Sequence, residues 1–204
     1  MINPSDWSQT VIFEEIFLRN GYDLDKLGFA PKVILDCGAH IGMFSLLARS
    51  RFPDSRVIVF EPNPINIGYL RRQIESNRLD LQLVEAAVSI KAGELNFDWN
   101  NSHGGHLNHH QTGDGGTKVK VINLPEMVRE LNASSLLLKM DVEGEEMEIL
   151  PLLVPLLPRQ TAIFFEIHSG EAGFQTVTSL LENYGFITEK LNARGRFIDA
   201  YSYR

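Results

Sequence analysis

The 204-residue sequence predicts an α/β fold, a mostly parallel sheet with helices on both faces. Three observations carry this expectation. The apolar run Val33-Ile34-Leu35 ends on Asp36 and breaks into a turn carrying Gly38 and Gly42, after which a helical period runs from Met43 to Arg51. A second apolar run, Val57 to Phe60, ends on Glu61. Two later runs, Leu136 to Met140 and Ala162 to Ile167, end near Asp141 and near Glu166 and His168. Acids at the carboxyl ends of successive strands gather on the face where open α/β sheets bind ligands.

The remaining elements follow in order. Val11 to Leu18 reads as a helix within an N-terminal helical segment of about 6–30. Asn63 as N-cap and Pro64 in the first turn open a helix to about Asn77. Leu81 to Val88 reads as a third strand. Leu95 to Phe97 and Lys118 to Ile122 alternate with period two and suggest a small β-hairpin insertion over about 93–122, around a polar loop. A helix from about Phe174 to Tyr184 stops at Gly185, and strands near Ile187 to Leu191 and Phe197 to Tyr203 complete the sheet.

Composition narrows the class. The length suits one domain, 1–204, and is too short for two sizeable cores. A net charge of -7 argues against a nucleic-acid partner, and Arg71, Arg72 and Arg78 at helical spacing read as a solvated face. Cys37 is the single cysteine, so no internal disulfide forms; a reducing compartment and a small buried filler are expected. Met1 to Asp6 has no signal-peptide character, and the apolar patch Ile149 to Pro158 is about half a membrane span and broken by prolines. A cytoplasmic protein without a membrane partner is expected.

The glycine turn selects among cofactors. In the dinucleotide fingerprint G-x-G-x-x-G, the middle glycine admits a pyrophosphate. Here the order is Gly38-Ala39-His40-Ile41-Gly42, and His40 would crowd that group. Asp36 before the turn would repel phosphate and attract an ammonium, while Glu61 has the spacing to accept from ribose hydroxyls. S-adenosylmethionine, with ribose, adenine and a cationic amino-acid tail, fits better than NAD(P). An NAD(P)-dependent oxidoreductase is thereby disfavoured; a non-catalytic cofactor-binding protein stays open.

The segments VILDCGAHIGMFSLLA, VIVFEPNP, VEAAVS, GELNF, LLLKMDVEGEEMEIL and FFEIH resemble, in this order, the FkbM-type S-adenosylmethionine-dependent methyltransferases. The resemblance runs from about Phe13 to His168 and is most specific at Lys139 to Gly144. It implies the class I methyltransferase Rossmann-like fold, a seven-stranded sheet whose last strand is antiparallel. It also implies O-methylation of a small hydroxylated molecule, often a sugar or secondary metabolite. By the same resemblance Asp36, Gly38, His40 and Gly42 would cradle the methionine part and Glu61 the ribose, with Asn63 bordering the pocket. Glu85 and Ala86 would flank adenine, Glu85 accepting from its amine, and Asp141 would lie beside the sulfonium. His40 departs from the family, which more often has Asn. Asp141-Val142-Glu143 stands where DNA amino-methyltransferases resemble Asn-Pro-Pro-Tyr, which disfavours that class.

Methyl transfer is an in-line displacement in which the protein chiefly aligns the nucleophile, with a general base adding roughly 10²–10⁴-fold. The candidates for catalysis are His106, His168, Asp141 and Glu143. Asn100 to Gly116 holds His103, His106, His109 and His110 around Gly104-Gly105. Glycines fix no i, i+4 pair there, so the segment reads as a mobile substrate-facing loop, and no metal site is assigned. Glu145, Glu146 and Glu148 read as the solvated start of a helix.

Overall fold

In a computed structural model, which describes residues 7–99, 105–108 and 117–204, eleven strands and six α-helices alternate along the chain. In order these are α1 (Trp7–Phe13), β1 (Val33–Cys37), α2 (Met43–Arg51), β2 (Arg56–Phe60), α3 (Pro64–Asn77), β3 (Gln82–Val84), β4 (Ala87–Ser89) and β5 (Gly93–Trp99). They continue with β6 (Gly105–Asn108), β7 (Thr117–Asn123), α4 (Leu124–Leu131), β8 (Ser135–Met140), α5 (Glu146–Leu153), β9 (Gln160–Ile167), α6 (Gly170–Asn183), β10 (Ile187–Arg194) and β11 (Phe197–Tyr203).

The main sheet has seven strands in the order β10-β11-β9-β8-β1-β2-β3. β1 pairs in parallel with β2 and β8, and β8 with β9, while β11 runs antiparallel to both of its neighbours. The single antiparallel strand is thus the last in sequence, as the resemblance implied. All five residues of β1 and all six of β8 are buried, the continuous pattern of strands covered on both faces. Val33, Leu35 and Cys37 pack with Val128 of α4, Leu150 of α5 and Val177 of α6. On the other face, Ile34 packs with Ile16, Phe44 and Ala48 of α2, and Leu70 of α3. Fully enclosed side chains such as Ile34 and Leu35 each stabilise the fold by about 1.5–3 kcal/mol.

Local signals behave as expected at two helix ends. Asn63 Oδ1 accepts from the Ile65 amide at 2.9 Å, capping α3. Gly185 lies at φ +80 beyond α6, its amide donating to Glu182 O. Elsewhere the architecture departs from the reading. The third strand expected over 81–88 is two strands: β3 extends the main sheet, and β4 leaves it to run parallel to β7. The change of sheet at Glu85-Ala86 is a single bend, its Ala86 amide donating to Val84 O at 2.9 Å, between two short apolar runs, so periodicity does not reveal it. β5 and β7 form the expected antiparallel pair, but with β4 and β6 they make a four-stranded sheet in the order β4-β7-β5-β6. Helix α4, capped by Asn123 with Pro125 in its first turn, was not foreseen. The N-terminal helix is α1 followed by a π-helical turn at Glu14–Leu18. Among the described residues, no helix is long and apolar enough to cross a membrane.

The glycine turn is held by packing as much as by any ligand. Gly38 has φ +78, and a Cβ there would lie 1.8 Å from the backbone oxygen of Asp141, because the turn after β1 presses on the turn after β8. Gly42, at φ +84 on the N-terminus of α2, would drive a Cβ into Leu70. Positive-φ strain of about 1–3 kcal/mol adds to overpacking of about 1–3 kcal/mol. Gly38→Ala is therefore expected to lower the unfolding free energy by about 3 kcal/mol or more, measured by chemical denaturation. A loss under about 1 kcal/mol would mean that the two turns separate freely.

Candidate functional site

The site lies at the carboxyl ends of β1, β2, β8 and β9, and a buried lysine organises its floor. Lys139 on β8 stands in register with Asp36 on β1. Its ammonium donates to Gly38 O at 2.5 Å and lies 3.4 Å from Asp141 Oδ2 and 4.0 Å from Asp36 Oδ1. Burial by itself would lower its pKa, but Asp141 and Asp36 outweigh burial and hold the ammonium well above its usual range. Asp36 is completely buried and also accepts from Ser45 Oγ at 2.5 Å. Burial pushes its carboxyl above the ordinary carboxylate range, with Lys139 opposing. Asp36 therefore supports the turn from beneath, and the expectation that it meets a ligand ammonium is corrected. Nothing in the sequence reading had marked Lys139 except its place in the Lys-Met-Asp stretch.

Two cavities open above this floor. The smaller, of about 150 Å³, is lined by Gly38, His40, Glu61, Asn66, Ala86 and Asp141 among others. His40 takes φ +53, a conformation that Asn also tolerates, and its amide donates to Glu61 Oε2 at 2.7 Å. Glu61 Oε1 accepts from the Asn63 amide at 2.8 Å and from Asn66 Nδ2 at 3.5 Å. Burial drives the Glu61 pKa up to about 7 against these donors. Asn66, 4% exposed, leaves Oδ1 buried with no hydrogen-bond partner among the described residues. An enclosed carboxylate beside an unmatched amide oxygen suits a ligand rich in hydroxyl and amine donors, so a nucleoside fits here. Asn66 was not foreseen; its position one turn into a capped helix gives no signal in sequence.

The placements of the remaining cofactor residues are mixed. Asn63 lines this cavity while capping α3, and Ala86 forms part of its wall. Gly42 lines neither cavity and serves the start of α2. Glu85 is corrected: it points outward into an exposed ion pair with Arg71 and lines neither cavity. The chain leaves the main sheet at this point, so Ala86 turns inward and Glu85 out.

The larger cleft, of about 880 Å³, runs between the N-terminal helical segment and the sheet. Tyr22, Lys139, Asp141, Glu166, Arg194 and Asp199 are among its lining residues. Asp141 and His40 line both cavities. His168 lines neither; it sits behind the acids with only 10% of its side chain exposed. Its Nδ1 meets Glu146 Oε1 at 3.1 Å, and its Nε2 lies 3.3 Å from Glu143 Oε2, 3.8 Å from Asp141 Oδ1 and 4.0 Å from Glu166 Oε2. Burial would lower its pKa, but the hydrogen bonds to Glu143 and Glu146 push it up to about 11. A histidine clasped on both nitrogens is a poor general base near neutral pH, which corrects that expectation for His168. Burial, with Asp141 and Asp199, pushes Glu166 up to about 8.

Glu146 is a further correction. It is 1% exposed, not solvated, and accepts from the amides of Val142 and Gly144, each at 3.0 Å. Glu145 is also buried and accepts from Ser89 Oγ at 2.6 Å, whereas Glu148 is exposed as expected. Glu143 is held at φ +55 by this turn. His106 falls on β6, opposite Asp98, and its side chain lies outside the described residues. So do His103, His109 and His110 of the expected loop.

This sheet order, with a nucleoside-suited pocket at the ends of β1 and β2, defines a class I methyltransferase fold. Comparison with known proteins agrees. A profile of the methyltransferase FkbM domain matches residues 36–188, and the chain belongs to that family of S-adenosylmethionine-dependent methyltransferases. The 31-O-demethyl-FK506 methyltransferase FkbM of Streptomyces tacrolimicus is 27% identical over 86% of this chain and 79% of its own length. The hexuronic acid methyltransferase AglP of Haloferax volcanii is 26% identical over 81% of this chain and 69% of its own. The chain spans only 33% and 3% of the length of two other curated relatives. A crystal structure of methyltransferase FkbM from Methylobacillus flagellatus has the same fold, with TM-score 0.62, 14% identity, and 90% of this chain against 46% of that one. The cofactor is S-adenosylmethionine, and Glu61, Asn66, His40 and Ala86 are the residues suited to its nucleoside.

Two outcomes follow. Lys139→Met strands the Asp36 carboxylate and is expected to cost about 3–5 kcal/mol in denaturant unfolding, part of which Asp36→Leu restores in the double variant. Equal stability of the single variant would dissolve the pair. Glu61 titrates between 4.5 unfolded and about 7 folded. Its protonated form favours folding, a contribution complete below 4.5 and lost as pH rises through about 7. With ribose hydroxyls at Glu61 favouring its ionised form, as the sequence reading expects, S-adenosylhomocysteine affinity should rise between about pH 6 and 8, by at most about tenfold per unit. Calorimetry should find that Glu61→Gln removes this rise and that Glu61→Ala weakens binding by about 1.5–3 kcal/mol. An identical slope in Glu61→Gln would move the titration to another group.

Proposed function

We propose that this domain transfers the S-adenosylmethionine methyl group to a hydroxyl oxygen of a small polyhydroxylated molecule, a sugar or sugar acid, held in the larger cleft. The observation that carries the reading is Asp141, which forms part of the wall of both cavities, where a cofactor in one and an acceptor in the other would meet. The polar lining of the larger cleft supports it: Arg194, paired with Asp199 at 3.1 Å and Glu15 at 3.6 Å, offers donors to a carboxylate or hydroxyls at one end. The name of the Haloferax relative, a hexuronic acid methyltransferase, points the same way. A cytoplasmic setting agrees with Cys37, buried and free.

The cofactor supplies an activated methyl carbon. With the cofactor held by the smaller cavity, an acceptor hydroxyl would displace its sulfur at the methyl carbon, the bonding pair going to sulfur and the hydroxyl proton to a carboxylate or water. The protein's part is alignment. Lys139 fixes Asp141 through one carboxylate oxygen, and Glu143 and Glu166 complete an acidic rim beside it. His168 acts from behind that rim rather than as the proton acceptor.

The test uses S-adenosylmethionine carrying a labelled methyl group and a panel of sugars and uronic acids, with products resolved by mass spectrometry. Labelled O-methyl product is expected. Asp141→Asn should lower turnover about 10²-fold or more while leaving S-adenosylhomocysteine affinity within about threefold. Labelling on nitrogen, or no transfer to any hydroxylated acceptor, would defeat the reading.

A further inference from the structure

The geometry points to a divalent-cation site between His168, Asp141 and Glu143. The three side chains offer one imidazole nitrogen and two carboxylate oxygens, all within 4.8 Å of one another. Nε2 of His168 is 3.3 Å from Glu143 Oε2 and 3.8 Å from Asp141 Oδ1. Two ligands about 2.1–2.2 Å from one ion are about 3 Å apart at right angles and about 3.5 Å at the tetrahedral angle. Nε2 and Glu143 already stand in this range, a shift of a few tenths of an ångström brings half-exposed Asp141 into it, and the two carboxylate oxygens, within 4.8 Å of each other, draw together as the ion enters.

An independent feature lies behind the imidazole. Glu146, enclosed and anchored by the Val142 and Gly144 amides, takes the Nδ1 side of His168. A carboxylate that fixes one ring nitrogen and directs the other at an ion is the usual outer support of a metal-bound histidine. Here it aims Nε2 into the carboxylates rather than into either cavity. The two oxygens of Asp141 are also divided: Oδ2 faces Lys139, while Oδ1 faces His168. Glu166 Oε2, 4.0 Å from Nε2, is in reach as a third oxygen and fourth ligand on the larger cleft. On binding, the cation takes the position of the Nε2 proton, which leaves to solvent.

One imidazole with two or three carboxylates suits Mn²⁺, which accepts both donor types and keeps open positions. Those positions face the junction of the cavities, because Asp141 lines both, Glu143 the smaller and Glu166 the larger. Two neighbouring acceptor oxygens, from a vicinal diol or an α-hydroxy acid, would fill them, and that use of the site rests on the methyl-transfer reading.

The test is a titration of the EDTA-treated protein with Mn²⁺, following the electron paramagnetic resonance of the free ion, with no cofactor or acceptor present. One saturable Mn²⁺ per chain is expected. Glu143→Gln and His168→Ala should each weaken it at least tenfold. Glu146→Gln, which leaves the ligands in place, should weaken it about tenfold. Glu148→Gln, on the exposed side of α5, should leave it unchanged, and circular dichroism confirms that each variant is folded. No saturable binding up to millimolar Mn²⁺, or equal affinity in folded Glu143→Gln and His168→Ala, would overturn the site and leave His168 as an imidazolium clamp only. Mn²⁺ binding without methyl transfer to any acceptor would instead overturn the function and keep the site.

Discussion

One ammonium group, Lys139 Nζ, joins the parts on which the site depends. It lies between Asp36 on β1, the Gly38 carbonyl in the glycine turn and Asp141 after β8. A charge so deeply placed survives only where partners compensate for its lost hydration. Its requirement therefore fixes the spacing of the two turns. The Asp141 amide adds a bond to Cys37 O at 3.1 Å, and the close approach leaves no room for a side chain at Gly38. The floor of the cofactor cleft is thus set by electrostatics inside the protein before any ligand arrives.

The walls come from a topological break. By leaving the main sheet at Glu85-Ala86, the chain lets β4 join β7 and the second sheet stand beside the first. Ala86, Ala87, Val88 and Phe97 from this region form one side of the smaller cavity. The hydrogen bond from Ser89 to Glu145 ties β4 to the start of α5, and Glu146 in the next position holds the turn that carries Glu143. Nucleoside wall and acidic rim are therefore mechanically linked through two consecutive glutamates.

Much of this was legible in sequence, and the reasons for the misses differ. Strands buried on both faces announce themselves as apolar runs, and caps such as Asn63 and Gly185 mark helix ends through local hydrogen bonding, so the seven-stranded sheet could be read. Glu61 could be placed because its distance from the glycine turn reflects a fixed strand–helix–strand length. What failed was direction. Asp36 and Glu85 sit at the expected strand ends, yet one points under the sheet and the other to solvent. Glu146 reads as a solvated charge and is buried, and Lys139 inside an apolar strand finds buried acids, since only tertiary partners decide these outcomes. Asn66 carried no signal, because a polar residue on a helix is ordinary until its oxygen proves unmatched.

The charge of the site bears on how it can accelerate methyl transfer. A bound sulfonium would carry its full charge only before methyl transfer, so an acid that merely attracts it would favour the ground state. Asp141 escapes this penalty in part because Lys139 neutralises one of its oxygens. On the proposed hydroxyl-transfer reading, the acceptor oxygen would instead gain positive charge as it is methylated. On that reading Asp141 at the junction and Glu166 on the larger cleft would favour the developing charge, while Glu143 faces the smaller cavity and His168 shares all three carboxylates. The charge of Asp141 is therefore balanced from both sides, Lys139 at one carboxylate oxygen and His168 at the other.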